Sequence, residues 1–140
     1  GELRPGDESW TGLAEGTTLG HVHLHVADLP SAVEFYHGVL GLDLITRFGS
    51  QAAFLSAGGY HHHLGLNTWA GVGAPPPPPG SAGLEYFTLS LPDERARDLE
   101  AERMRSSGVG FEERDDGMLV RDPSQNAVLL TVAGARVAAR

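Results

Sequence analysis

Residues 20–26, GHVHLHV, alternate strictly between two side-chain classes. His21, His23 and His25 share one face, and Val22, Leu24 and Val26 share the other. A period of two with one apolar face predicts a half-buried strand. Asp28 and Pro30 then form a helix start, because a carboxylate caps free N–H groups and proline suits the first turn. Leu29, Ala32, Val33, Phe35, Tyr36, Val39 and Leu40 form a broad apolar stripe that stops at Gly41. Residues 42–48 and 52–57 read as strands joined by the Gly49-Ser50 turn. Gly58-Gly59 then turns the chain into residues 60–69, YHHHLGLNTW, where three histidines enter an apolar alternation. The predicted order so far is β-α-β-β-β.

The same order recurs after a proline-rich interruption. Residues 84–91, LEYFTLSL, alternate. Pro92-Asp93 leads into an Arg/Glu-rich helix over residues 94–107, closed by Gly108. Three short strands are predicted over residues 109–114, 118–121 and 127–132, with turns at 115–117 and 122–126. HVHLHVAD and YFTLSLPD mark the two starts, offset by 65 residues (86 minus 21), which is an internal duplication rather than a solenoid repeat. The expected fold class is α+β, with two tandem βαβββ modules forming a curled, open-cleft mixed sheet. The expected domain covers residues 19–133, with modules at 19–70 and 83–133 and a Pro-rich loop at 71–82. Residues 1–18 are expected to be a linker or arm whose Trp10 and Leu13 dock on a neighbour, and 134–140 a loose tail.

Length changes this picture little: 140 residues bury roughly two-thirds of their unfolded surface, enough for one core. Charge narrows the partners. The formal net charge is −8 and all ten basic residues are scattered arginines, so nucleic acid and anionic membranes are not expected partners. No apolar run approaches the ~20 residues of a membrane span. There is no cysteine, so disulfides, thiolate ligands and a thiol nucleophile are excluded and any metal would take nitrogen and oxygen ligands. A cytoplasmic setting fits that composition.

Six of the seven histidines lie on the two segments described above; His37 falls on the first helix. If those segments share a sheet, their imidazoles aim into one cleft. Two β-α-β-β-β units, with VHLHVADLPSAVEFYHGVLGL in the first, resemble the vicinal oxygen chelate superfamily: glyoxalase I, bleomycin-resistance proteins and type I extradiol ring-cleaving dioxygenases. The resemblance runs from about residue 19 to 132. FLSAGGYHHHLGLNTW and the Pro-rich loop look more like the C-terminal domain of bacterial catechol 2,3-dioxygenase-like proteins. In those an N-terminal domain of the same fold comes first, which implies a missing N-terminal half or, failing that, a homodimer.

The resemblance implies that metal ligands come from the first and last strands of each module, here His21, Gly65, Tyr86 and Leu129. The dioxygenase pattern asks for His, a small residue, His and Glu. His21 and Gly65 match, the latter leaving room for substrate or dioxygen. Tyr86 replaces the second His, Leu129 replaces the Glu, and the Tyr before the final Asp-Pro is missing from MLVRDP. His62 matches the family's catalytic pocket histidine, which handles substrate protons, and His61 its neighbour. An extradiol enzyme holds Fe(II) with two His and one carboxylate, leaving positions for a bidentate diol and dioxygen. Leucine cannot ligate, so His21, His63 and Tyr86 form the replacement set for a divalent metal, Fe(II) first. By strand alternation His63 shares the face of Gly65 and His62 points away unless a bulge turns it, which leaves the two assignments in conflict. His23, His61, Gly65 and Trp69 are expected to line the substrate pocket. The implied function is a metal-dependent ring-cleaving oxygenase domain acting on a small aromatic molecule, degenerate in two of three ligands. The alternative is a metal-free small-molecule binding protein of the bleomycin-resistance type, using Trp69, Tyr60, Tyr86 and Phe54.

Overall fold

The structure is a computed structural model that describes residues 20–134. The arm, with Trp10 and Leu13, lies outside the described residues, as does the tail beyond residue 134. Among the described residues, eight strands form two four-stranded mixed sheets of identical topology. The first holds β1 (Val22–His25), β2 (Asp43–Phe48), β3 (Ala52–Ser56) and β4 (Leu64–Asn67) in the order β1-β4-β3-β2. The second holds β5 (Phe87–Leu91), β6 (Phe111–Arg114), β7 (Gly117–Arg121) and β8 (Ala127–Val132) in the order β5-β8-β7-β6. In each, the first and last strands pair in parallel and the others antiparallel. A parallel neighbour needs a crossover, which α1 (Leu29–Val33) starts in the first module and α2 (Glu94–Ser106) provides in the second.

The predicted caps are present. Asp28 accepts from the Ser31 N–H at 2.9 Å, and Asp93 accepts from the Ala96 N–H at 2.8 Å. The first helix departs from its expected form. After Val33 it widens into a π-helical turn over Glu34–Val39, with Leu40 N–H bonding to the Phe35 carbonyl at 2.9 Å. Wider turns are rare and occur as short bulges within α-helices. Phe35 and Tyr36 are both buried in the wide turn, and Leu42 N–H closes it on the Tyr36 carbonyl at 3.0 Å.

One apolar core serves both modules. Leu24, Val26, Phe35, Leu55 and Leu66 from the first belong to the same cluster as Met104, Met118, Val128 and Leu130 from the second. A buried polar contact joins the modules as well. The fully buried Tyr36 donates its hydroxyl to Asp122 at 3.0 Å. Asp122 also accepts from the N–H groups of Ser124 and Asn126 and from Asn126 Nδ2. The same 122–126 loop reaches the free edge of β1: Ser124 Oγ accepts from the Ala27 N–H at 2.8 Å, and Asn126 Nδ2 donates to the His25 carbonyl at 3.1 Å. An open edge strand is a liability unless it is covered, and this loop covers β1 at its C-terminal end.

Candidate functional site

The histidine-bearing segments meet as expected, though by a different local route. β4 begins at Leu64, so His61, His62 and His63 precede the strand and lie in the turn after β3. Gly58 (φ +67°) and Gly59 (φ +75°) open that turn with two successive left-handed residues, a conformation that costs other residues and not glycine. Strand alternation therefore does not govern the triple histidine, and the conflict over His62 disappears. Val22 pairs with Leu64 in parallel register, and Val22 N–H donates to the His63 carbonyl at 2.9 Å. This brings His21, one residue before β1, against the turn.

His21 and His62 stack with ring centroids 4.2 Å apart. His61 lies 4.9 Å from His21 and 4.8 Å from His62, each in an edge-on arrangement. One ring nitrogen from each of these three residues lies within 4.8 Å of the other two. His21 Nδ1 sits 2.9 Å from the His62 carbonyl. A carbonyl only accepts, so Nδ1 carries the proton of the neutral ring and Nε2 keeps its lone pair. Tyr60 flanks the group, with its ring 4.1 Å from that of His61. His62 is half-buried between His21 and Phe54, 4.9 Å away on the other side. Desolvation pushes its pKa below the ordinary imidazole value, and positive charge on His21, His61, His23 and His63 would push it the same way.

His23 follows on the same strand, its ring 5.8 Å from His62 and 6.1 Å from Phe54. It pairs directly with Gly65. A Cβ on Gly65 would lie 2.7 Å from His23 Nδ1 and 2.8 Å from Cε1. The space over Gly65, expected for substrate or dioxygen, holds the His23 imidazole.

The two other expected ligands have different surroundings. His63 Nδ1 accepts from the Ala57 N–H at 3.3 Å and lies 3.2 Å from Ser56 Oγ. Its neutral ring then carries the proton on Nε2, so neither nitrogen offers a free lone pair. Its ring stacks on Tyr60 at 4.6 Å. Tyr86 precedes β5 and is half-buried, with the Arg114 guanidinium 5.8 Å from its ring centroid. Leu129, at the position where the pattern asks for Glu, is fully buried. Trp69 is 62 % exposed in the turn after β4. His37 stands apart from the cluster, donating from Nδ1 to the Leu42 carbonyl at 2.7 Å.

Phe54, expected to line the cleft only in the metal-free reading, packs on both His23 and His62. Sequence reasoning did not find one contributor. The 122–126 loop is distant in sequence from the strand it holds, and nothing local marks that contact.

Two cavities flank β1. One, of about 290 Å³, is walled mainly by carbon atoms and touches His21, His63, Leu42, Phe87 and Thr88. The other, of about 440 Å³, lies between the C-terminal half of β1 and the proline-rich segment.

Comparison with known proteins identifies the family and the fold. The family model described as Glyoxalase/Bleomycin resistance protein/Dioxygenase superfamily matches residues 18–130. A catechol-2,3-dioxygenase of Bacillus subtilis (strain 168) is 47% identical over 128 residues, covering 91% of this chain and 45% of that protein. The chain thus spans about half the length of that relative. Among solved structures, a lactoylglutathione lyase from Agrobacterium tumefaciens superposes with a TM-score of 0.63 at 22% identity, over 86% of this chain and 96% of the other. A glyoxalase/dioxygenase from Nostoc punctiforme gives 0.64 at 16% identity, over 89% and 98%. At those identities the structural likeness speaks for the fold alone.

Proposed function

Because this chain belongs to the glyoxalase/bleomycin resistance/dioxygenase superfamily, we propose that it is a ring-cleaving, extradiol oxygenase domain that takes a small aromatic diol and a divalent metal, Fe(II) first. The observation that carries this reading is the convergence of His21, His61 and His62, one nitrogen each within 4.8 Å. The donor set fits a divalent ion that accepts imidazole. No carboxylate belongs to the group among the described residues, so it lacks the negative charge that a two-His, one-carboxylate set supplies. In our reading His21 and His61 are the ligands, in place of the His21, His63 and Tyr86 set expected from sequence. An ion bound there would supply Lewis-acid polarisation of the diol oxygens and a site for dioxygen.

The chain's own residues do the rest. The His62 carbonyl fixes the His21 tautomer and leaves Nε2 free. His62, whose pKa its surroundings lower, takes a proton from the diol hydroxyl and can return it. Phe54 shields one side of His62 from water and gives the aromatic ring an apolar neighbour. Tyr60 and His23 bound the group on two further sides. In this reading the protein acts in the cytoplasm, as a homodimer or beside another domain of the same fold.

Anaerobic Fe(II) titration followed by aerobic catechol turnover tests the proposal. We expect close to one Fe(II) per chain and a yellow ring-cleavage product, with His21→Ala losing both. Less than about a tenth of an equivalent of metal at saturating Fe(II), an ion chosen on its ligand preference, would overturn it. That result would favour the second reading, a metal-free binding protein of the bleomycin-resistance type. The fully buried Leu129 at the carboxylate position is the observation on its side.

A further inference from the structure

We propose that Glu100, Arg103 and Gly41 form a pH-sensitive latch between the two modules, shut while the Glu100 carboxyl holds its proton and loosened when that proton leaves. The latch is independent of the histidine group and of any metal.

It starts from a buried carboxyl. The Glu100 side chain is 9 % exposed, beside Ala101 and Met104, which α2 buries in the shared core. Its Oε1 is buried and has no hydrogen-bond partner among the described residues. Its Oε2 accepts from Arg103 Nη1 at 3.4 Å, beyond the ordinary range of a hydrogen bond. Buried polar atoms are nearly always partnered, so an orphaned oxygen calls for a physical account. A protonated carboxyl supplies one, because the neutral group is far less costly to bury than a carboxylate.

The surrounding charges do not offset that cost. α2 packs on β5 and β8, and neither strand carries a titratable side chain. β6 approaches α2 through Glu113, which pairs with Arg97. The first module faces α2 through the turn at Gly41, where His37 and Asp43 are the titratable neighbours. His37 Nδ1 donates to the Leu42 carbonyl, and Asp43 is exposed. Arg103 is the charge that acts on Glu100, and its side chain is 54 % exposed, so water screens the attraction. Burial raises the Glu100 pKa and Arg103 lowers it by less.

Arg103 carries the state of Glu100 to the other module. Its guanidinium lies over Gly41, where an added Cβ would fall at or within 3.0 Å of three guanidinium atoms. An ionised Glu100 is relieved when its turn of α2 lifts to hydrate it, and that movement takes Arg103 off Gly41. The folded pKa is raised, so the unfolded chain loses its proton first. The contribution of the shut latch is complete below the ordinary carboxyl value of 4.5 and is lost as pH rises through the folded value.

Carboxyl carbon NMR of the metal-free chain tests the latch directly: the Glu100 midpoint should lie above 4.5. Hydrogen exchange reads the opening. The Val109 amide, which donates to the Met104 carbonyl at 2.8 Å, should exchange faster at pH 8 than at pH 5 by at least about threefold beyond its intrinsic base catalysis. The Val26 amide, bonded within the first module, is the reference. Glu100→Gln, the permanently neutral analogue, should lose that excess. Arg103→Gln keeps the carboxyl and removes its counter-charge, so it should move the midpoint further up. A wild-type midpoint at or below 4.5, or an excess that persists in Glu100→Gln, would overturn the proposal. If Glu100→Gln does not fold, an Arg103→Gln midpoint no higher than that of the wild type overturns it.

Discussion

At residue scale, the candidate site depends on two substitutable positions. Gly65 has no side chain to obstruct His23, and an added Cβ would fall within 2.8 Å of two ring atoms. The His23 ring is the end of an exposed side chain and can swing aside. Gly65→Ala should therefore change the melting temperature little and shift the His23 ring resonances strongly, as NMR would detect. His62 is the second position. Its Cε1–H titration should have a midpoint below the ordinary imidazole value of about 6.5. Desolvation is the main cause and His21 the next, so His21→Ala should move the midpoint upward without fully restoring it. The depressed folded pKa means that the unfolded chain binds more protons. The His62 contribution to stability is therefore complete above the ordinary value and is lost as pH falls through it to the lower folded value. His62→Gln should keep metal binding and lose at least a hundredfold in turnover, the scale of a lost acid–base group; loss of metal instead would make His62 a ligand.

At element scale, the 122–126 loop is the joint. Asp122 is 1 % exposed and accepts four hydrogen bonds, from Tyr36, Ser124 and, twice, Asn126. Its loop also holds the edge of β1. Tyr36→Phe removes one donor and leaves Asp122 three, so it should cost about 1 kcal/mol in urea unfolding. Asp122→Ala strands a buried hydroxyl and two backbone N–H groups and should cost about 3 kcal/mol or more. It should also speed hydrogen exchange at Ala27, whose amide bonds to Ser124. The π-helical turn departs from the local pattern: the stripe from Leu29 to Leu40 is helical in period, and the chain widens over Glu34–Val39 with Phe35 and Tyr36 both buried.

At the scale of the molecule, a metal that binds only the folded chain stabilises it by mass action, by about 2.7 kcal/mol at a hundredfold excess over Kd. Divalent metal should raise the melting temperature, chelator should reverse the rise, and His21→Ala should abolish it. Leu99→Glu, an exposed apolar position on α2 away from the histidine turn, should leave that response intact. Both modules share one core, so unfolding by circular dichroism and by tryptophan fluorescence should coincide as one transition.

The duplicated order of elements was legible in the chain, because periods of two and 3.6 with Gly and Pro punctuation are local properties. So was the histidine-rich pair of segments, since parallel pairing of the first and last strands places residues 21 and 61–63 side by side. Which imidazoles face one another was decided only in three dimensions. The strand starts at Leu64 and not at the histidines, because two left-handed glycines let the chain turn before it pairs. His63 is drawn away by the Ala57 N–H, His23 takes the space left by Gly65, and Asp122 reaches across 86 residues to Tyr36. Each is a contact between segments whose separation in sequence carries no periodic signal, so only the folded backbone brings the partners within hydrogen-bonding or van der Waals reach.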